Sequence, residues 1–218
     1  MTPAIWQAIH ETGAIANLSD QVCLRLTGPD AVRYLNGQVT NDVGRIPPGG
    51  ALPACVTNHK GKLEAWVHLS QDSTGALFIS GPGELRDFLP LRLEKYLIAD
   101  DCVLEDLTET TALCHVIGPS DQITPLLSAE ERSASTRRFG LPGHDLWTTP
   151  ERLPFWLAHF PILSPEDQST LEVIHGVPAW GHEITPDLLP PEAGLDLTAI
   201  DYHKGCYIGQ EVISRIRS

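Results

Sequence analysis

Positive charge is scarce in this chain: 15 lysines and arginines stand against 28 aspartates and glutamates, a formal charge of −13. That balance opposes nonspecific attraction to nucleic acid or to an anionic membrane, so any connection with RNA is expected to be indirect. Long apolar runs are also missing, and the opening Met1-Thr2-Pro3-Ala4-Ile5-Trp6 has neither the basic region nor the apolar core of a secretory signal. A cytoplasmic protein without a membrane span is expected. The five cysteines, Cys23, Cys55, Cys102, Cys114 and Cys206, are dispersed, no two nearer than Cys102 and Cys114. An odd number at such spacing is neither a disulfide framework nor a local thiolate cage, and no stably bound metal is expected.

Several catalytic signatures are missing as well. The chain has no G-x-x-x-x-G-K-[ST] phosphate loop, no strand-linked G-x-G-x-x-G and no G-x-S-x-G elbow. His10-Glu11 and His182-Glu183 begin like a zinc protease motif, but Ala14 and Pro186 stand where the second histidine belongs.

What is present, 218 residues at 42% apolar composition, suffices for one large domain or two small ones. Val22, Leu24 and Leu26 alternate with Cys23 and Arg25 as in a half-buried strand, and Thr27-Gly28-Pro29-Asp30 reads as a capping box opening a helix with Val32, Leu35 and Val39 on one stripe. Pro47-Pro48-Gly49-Gly50 suggests a boundary near residue 48. Two strands are expected, one at 54–57 or 64–69 and one at 77–79, then a helix carrying Leu85, Phe88, Leu89, Leu93 and Leu97 that Pro90 kinks or delays. Further strands at 103–107 and 112–117 precede a helix beginning near Pro119, and the mixed order argues for an α+β fold. Ser164-Pro165-Glu166-Asp167 and the stop at Gly176 and Pro178 predict a helix over 165–175.

Eight residues near the end concentrate the chemistry: Lys204-Gly205-Cys206-Tyr207-Ile208-Gly209-Gln210-Glu211. A lysine two residues from a cysteine favours the thiolate, glycines permit angles closed to other residues, and Gln210 and Glu211 add hydrogen-bonding capacity. A buried cysteine in an ordinary turn is the plainer reading, since free cysteine is among the most buried residue types. His203 adds a titratable neighbour.

This octet resembles the motif of the YgfZ family of folate-binding proteins, whose mitochondrial relatives assist iron-sulfur cluster assembly. The stretches 24–31, 35–43, Gly176-Val177-Pro178 and 189–195 resemble further parts of that family, so the likeness brackets nearly the whole chain. It implies an α+β fold like the glycine cleavage T-protein, with a discontinuous folate-binding-like domain (1–48 and 150–218), an inserted ferredoxin-like domain (49–149), and the family's C-terminal β-barrel absent. It also implies a reduced folate, tetrahydrofolate or a derivative, as bound ligand, iron-sulfur client or assembly proteins as partners, and tRNA modification as an indirect consequence. Cys206 would be the functional thiol, with the rest of the motif shaping its loop.

Folate requires an apolar cleft, an acceptor for the pterin edge and positive charge for the glutamate tail. The acceptor glutamate of T-protein-like sequences falls on Ile174 here, so Glu192 and Glu172 are the candidates, joined by Asn41. The T-protein aspartate pair corresponds to Lys60-Gly61-Lys62-Leu63-Glu64-Ala65, which keeps one carboxylate, Glu64, beside the possible tail ligand Lys62. Trp66, Trp147, Trp156 and Trp180 are either ring-binding or core residues. Three readings follow: an accessory folate-binding protein, a tetrahydrofolate-dependent aminomethyltransferase, and a noncatalytic interaction domain that has lost the ligand.

Overall fold

The structure is a computed structural model describing residues 1–118 and 120–217; Pro119, at the expected helix start, and Ser218 lie outside the described residues. In chain order the elements are α1 (Pro3–Glu11), β1 (Ala14–Asn17), β2 (Val22–Thr27), α2 (Ala31–Gln38), β3 (Ala51–Thr57), β4 (Leu63–Gln71), β5 (Leu77–Gly81) and α3 (Leu89–Glu94). There follow β6 (Val103–Asp106), β7 (Ala112–Ile117), β8 (Arg132–Thr136), β9 (Gly143–Thr148), α4 (Leu153–His159), α5 (Pro165–His175) and α6 (Gln210–Arg217). Among the described residues no helix is long and apolar enough to cross a membrane.

The chain forms two compact units, one of Met1–Asp20 with Thr108–Ala179, the other of Gln21–Leu107 with Trp180–Ser218. These divisions differ from the boundaries expected at 48/49 and 149/150. Residue 48 falls inside a unit because β2, before it, pairs with β5, after it, in register Val22 to Gly81 through Leu26 to Leu77. A Pro-Gly cluster marks a turn, and only pairing decides whether a turn is also a boundary.

In the second unit five antiparallel strands run in the order β3-β4-β5-β2-β6. One face is apolar with period two: Val22, Leu24 and Leu26 on β2, Ala65, Val67 and Leu69 on β4, Leu77 and Ile79 on β5. Against it pack Ala31, Tyr34 and Leu35 of α2 and Leu89 and Leu93 of α3. Helix α2 starts where expected, but without the capping box: Asp30 makes no side-chain cap. Its carboxylate instead accepts from the Asp101 amide and pairs with Arg33. Pro90 sits in the first turn of α3, where a missing N–H costs nothing, so the helix starts late.

The first unit carries the antiparallel sheet β1-β7-β9-β8. Its core joins Ile15, Cys114, Val116 and Leu146 to Trp156 and Phe160 of the α4 region. Helix α5 matches the expected span, with Ser164 and Asp167 capping each other reciprocally and Gly176 stopping it in the left-handed region at φ 63°. The helix expected near residue 120 is two short 3-10 turns, Ser120–Gln122 and Thr124–Leu126.

Candidate functional site

The candidate site belongs to the second unit and is assembled from three chain segments: the end of α2, the β3–β4 turn and the motif turn before α6. Helix α2 ends at Gln38, leaving its last carbonyls without helical donors. Lys204 answers them from far along the chain, its Nζ donating to the carbonyls of Asn36 at 2.7 Å, Val39 at 2.8 Å and Asn41 at 2.7 Å. An ammonium has three donors, and all three are used. A cation at a helix C-terminus also meets the negative end of the helix dipole. Burial pulls the Lys204 pKa down to about 8, against the opposing charges of Asp42 and Asp201, so the ammonium remains the majority form at neutral pH. The lysine expected to act on the Cys206 thiolate is therefore committed to the backbone.

The far end of the turn is held as firmly. The Ile208 amide donates to the Gly37 carbonyl at 3.2 Å, and Thr57 Oγ1 donates to the Ile208 carbonyl at 2.6 Å. Gly209 has φ 87°, and a Cβ there would stand 2.5 Å from the Asn58 carbonyl oxygen and 2.9 Å from the Gly61 Cα. Only glycine combines that backbone angle with that approach. Opposite it, Asn58 shapes the Asn58–Lys62 turn, its Oδ1 accepting from the amides of Lys60 and Lys62. Between the two anchors the tip is open: a Cβ on Gly205 would meet nothing within 4 Å, and Cys206 is exposed. Cys23, Cys55 and Cys114 are buried, and Cys102 is half-buried. Burial pushes the thiols of Cys55 and Cys114 up to about 12, which makes them poor nucleophiles.

Tyr207 points inward, 7% exposed, packing with Ile200 and Ile213. Its buried hydroxyl has no hydrogen-bond partner among the described residues, and burial drives its pKa up. Gln210 and Glu211 form the first turn of α6, where the Gln210 amide donates to the Tyr207 carbonyl. His203 is exposed, and its amide donates to Asp201, which Arg45 also binds at 2.7 Å.

The folate candidates divide. Asn41 is a strut: its side-chain amide donates to the carbonyls of Pro53 and Thr198, and its Oδ1 accepts from the Asp42 amide. Lys62 Nζ donates to the Asp187 carbonyl at 2.7 Å. Glu192 is exposed, one oxygen accepting from the Leu189 amide at 2.7 Å. Glu64 is half-buried and its Oε2 accepts from Arg92, which also donates to Gln38 Oε1 and the Thr57 carbonyl. Glu172 lies on α5 in the first unit, apart in the chain's organisation from the other four.

Trp156 and Trp147 are core residues: the Trp156 indole donates to Glu131, and Trp147 lies 3.6 Å beneath the Arg132 guanidinium. Trp66 and Trp180 pack against the buried cluster of Cys55, Leu63, Ile184, Leu195 and Ala199, and the buried Trp66 indole N–H has no partner among the described residues.

Sequence reasoning missed Arg92, Thr57, Asn58 and Gly37. Arg92 gives no local signal, whereas the Asn58-to-Gly61 stretch carries ordinary turn chemistry and could have been paired with the glycine of the motif. Among the described residues no group of three or more His, Cys, Asp or Glu is placed to hold a metal ion.

No protein-family model matches the chain. Similarity to individual proteins is extensive. A tRNA-modifying protein YgfZ of Pectobacterium atrosepticum is 27% identical over 231 residues, covering 93% of this chain and 66% of that protein. A protein of the same name from Hamiltonella defensa is 28% identical over 221 residues, covering 91% and 64%. The chain thus spans about two thirds of the length of these relatives. Among solved structures, aminomethyltransferase T of the glycine cleavage system from Bartonella henselae matches at a TM-score of 0.79 and 15% identity, over 93% of this chain and 62% of that one. At that identity the match speaks to the fold, which is the α+β fold of the T-protein.

Proposed function

The chain is a YgfZ-type homologue with the T-protein fold, and from that premise we propose that it binds a reduced folate and supports iron-sulfur cluster assembly or repair in client enzymes. Its link to tRNA modification, the activity in its relatives' name, then runs through cluster-dependent clients and needs no direct contact with RNA. The single observation carrying this reading is the presentation of Cys206: the one exposed thiol of five, at the open tip of a turn pinned at both ends. A scaffold that commits a buried lysine to holding a cysteine outward invests in an accessible thiol rather than in a core residue.

The residues present fit tetrahydrofolate in part. Glu64, steadied by Arg92 through one oxygen, keeps the other for the donor edge of a pterin, and Glu192 has an oxygen outside its own cap. Asn41 and Lys62 are occupied by backbone carbonyls and are the weaker candidates. The aminomethyltransferase reading is disfavoured because the T-protein aspartate pair is replaced by Glu64 and Ala65, with Glu64 engaged by an arginine.

The test is anaerobic calorimetry of tetrahydrofolate with the 218-residue chain, beside restoration of a cluster-dependent client in cells lacking the native protein. Saturable binding, with the client restored by the wild type and not by Cys206→Ser, is the expected result. Absence of binding removes the folate role, and full restoration by the serine variant removes the thiol role.

A further inference from the structure

The first unit buries a charged cluster that the thiol site does not use. His115 lies on β7, between β1 and β9, and its cross-strand neighbour on β9 is Asp145. Both side chains are completely buried. His115 Nδ1 lies 2.9 Å from Asp145 Oδ1, and Arg138 Nε donates to the same oxygen at 2.7 Å. His115 Nε2 and Asp145 Oδ2 are buried and have no hydrogen-bond partner among the described residues. The Nε2 edge rests on the backbone of Gly143, where a Cβ would stand 2.6 Å from it, and the Phe139 ring meets the imidazole edge-on at 5.4 Å. The groups facing the imidazole are therefore Asp145 and its neighbour His144 from β9, Arg138 from the β8–β9 turn, and uncharged Ala16 opposite it on β1.

Charge and hydrogen-bond counting single out one protonation state. Arg138 already pairs with the Asp145 carboxylate, so a protonated imidazole would bring a second buried positive charge onto the same oxygen. Its new N–H, on Nε2, would point at the Gly143 backbone and find no acceptor. Neutral imidazole donating from Nδ1 to Asp145 meets neither cost.

We propose that His115, Asp145, Arg138 and Gly143 form an acid-sensitive lock on the β7–β9 pairing of the first unit, closed while His115 is neutral and opened by its protonation. Burial, aided by Arg138 and opposed by Asp145, holds the histidine below its ordinary value of 6.5 in the folded unit. The unfolded segment then binds the proton that the folded one refuses, so stability falls as pH drops through 6.5, and local opening grows toward a limit of about tenfold per pH unit above the folded pKa.

Two measurements on the full chain test this. Ring-nitrogen NMR is expected to find the His115 Nδ1–H tautomer, titrating below the ordinary 6.5; titration at or above 6.5 in the folded protein, or an Nε2–H tautomer, overturns the lock. Amide exchange, corrected for intrinsic rates, is expected to lose up to about fivefold protection in β7 and β9 between pH 6.5 and 5.5. His115→Asn keeps a donor to Asp145 and cannot titrate, and should hold that protection within about twofold. An equal loss in both proteins refutes the proposal, and if the variant does not fold, the ring titration decides alone.

Discussion

At the scale of the residue, the motif around Cys206 splits into anchors and a tip. Gly209 and Gly205 look alike in sequence and differ in their surroundings: one has φ 87° with backbone at 2.5 Å, the other has open space. Gly209→Ala is expected to lose about 3 kcal/mol or fail to fold, whereas Gly205→Ala stays within about 0.5 kcal/mol, as urea unfolding would measure. Equal effects would mean that the turn is not built as described. Lys204→Met strips donors from three carbonyls at the end of α2 and should cost about 2–4 kcal/mol in the same assay. A lysine acting only on the thiol would leave stability unchanged. The spacing of lysine and cysteine was legible in the sequence; the carbonyls that claim the lysine were not, because they lie more than 160 residues away.

Elements differ in how far their causes are local. Helix α5 was readable from end to end because its caps, Ser164, Asp167 and Gly176, lie within the segment itself. Strands β8 and β9 carry Arg132, His144 and Asp145, and their pattern does not announce a sheet: Asp145 is buried, its charge met by His115 and Arg138 from outside the two strands. The same holds for Glu131, next to β8, whose Oε1 accepts from Arg152 at 2.8 Å and Trp156 at 2.7 Å and whose Oε2 accepts from the Ser128 amide at 2.9 Å. Burial raises its pKa, but the bonds from Ser128, Thr148, Trp156 and Arg152 outweigh burial and bring it to about 2. A carboxylate held below its unfolded value of 4.5 stabilises the fold above that pH, and its contribution is lost as pH falls toward 2. Glu131→Gln is therefore expected to lose about 2 kcal/mol at neutral pH and to show a shallower acid limb between pH 4.5 and 2. An unchanged acid limb would show that the carboxylate carries no such load.

Across the whole molecule, the chain builds each unit from two distant stretches. In the second unit the returning C-terminal stretch is stitched to the sheet and to α2: Thr40 Oγ1 donates to the Ala199 carbonyl at 2.6 Å, the Asp201 amide to the Thr40 carbonyl at 3.1 Å, and Lys204 to the helix end. Deleting residues 198–218 should therefore abolish the cooperative melt of this unit, followed by circular dichroism, rather than trim a loose end. Retention of a sharp transition would show that the sheet stands without its C-terminal brace. By itself the sequence determined the α+β class, helix α5 and the octet that carries the family likeness, because each is written in residues close together along the chain. Only the tertiary structure decided the unit boundaries, the outward presentation of Cys206 and the roles of Lys204 and Arg92. Those depend on backbone carbonyls and carboxylates brought into reach by strand pairing, and a linear pattern of side chains holds no record of which distant backbone group will need a partner.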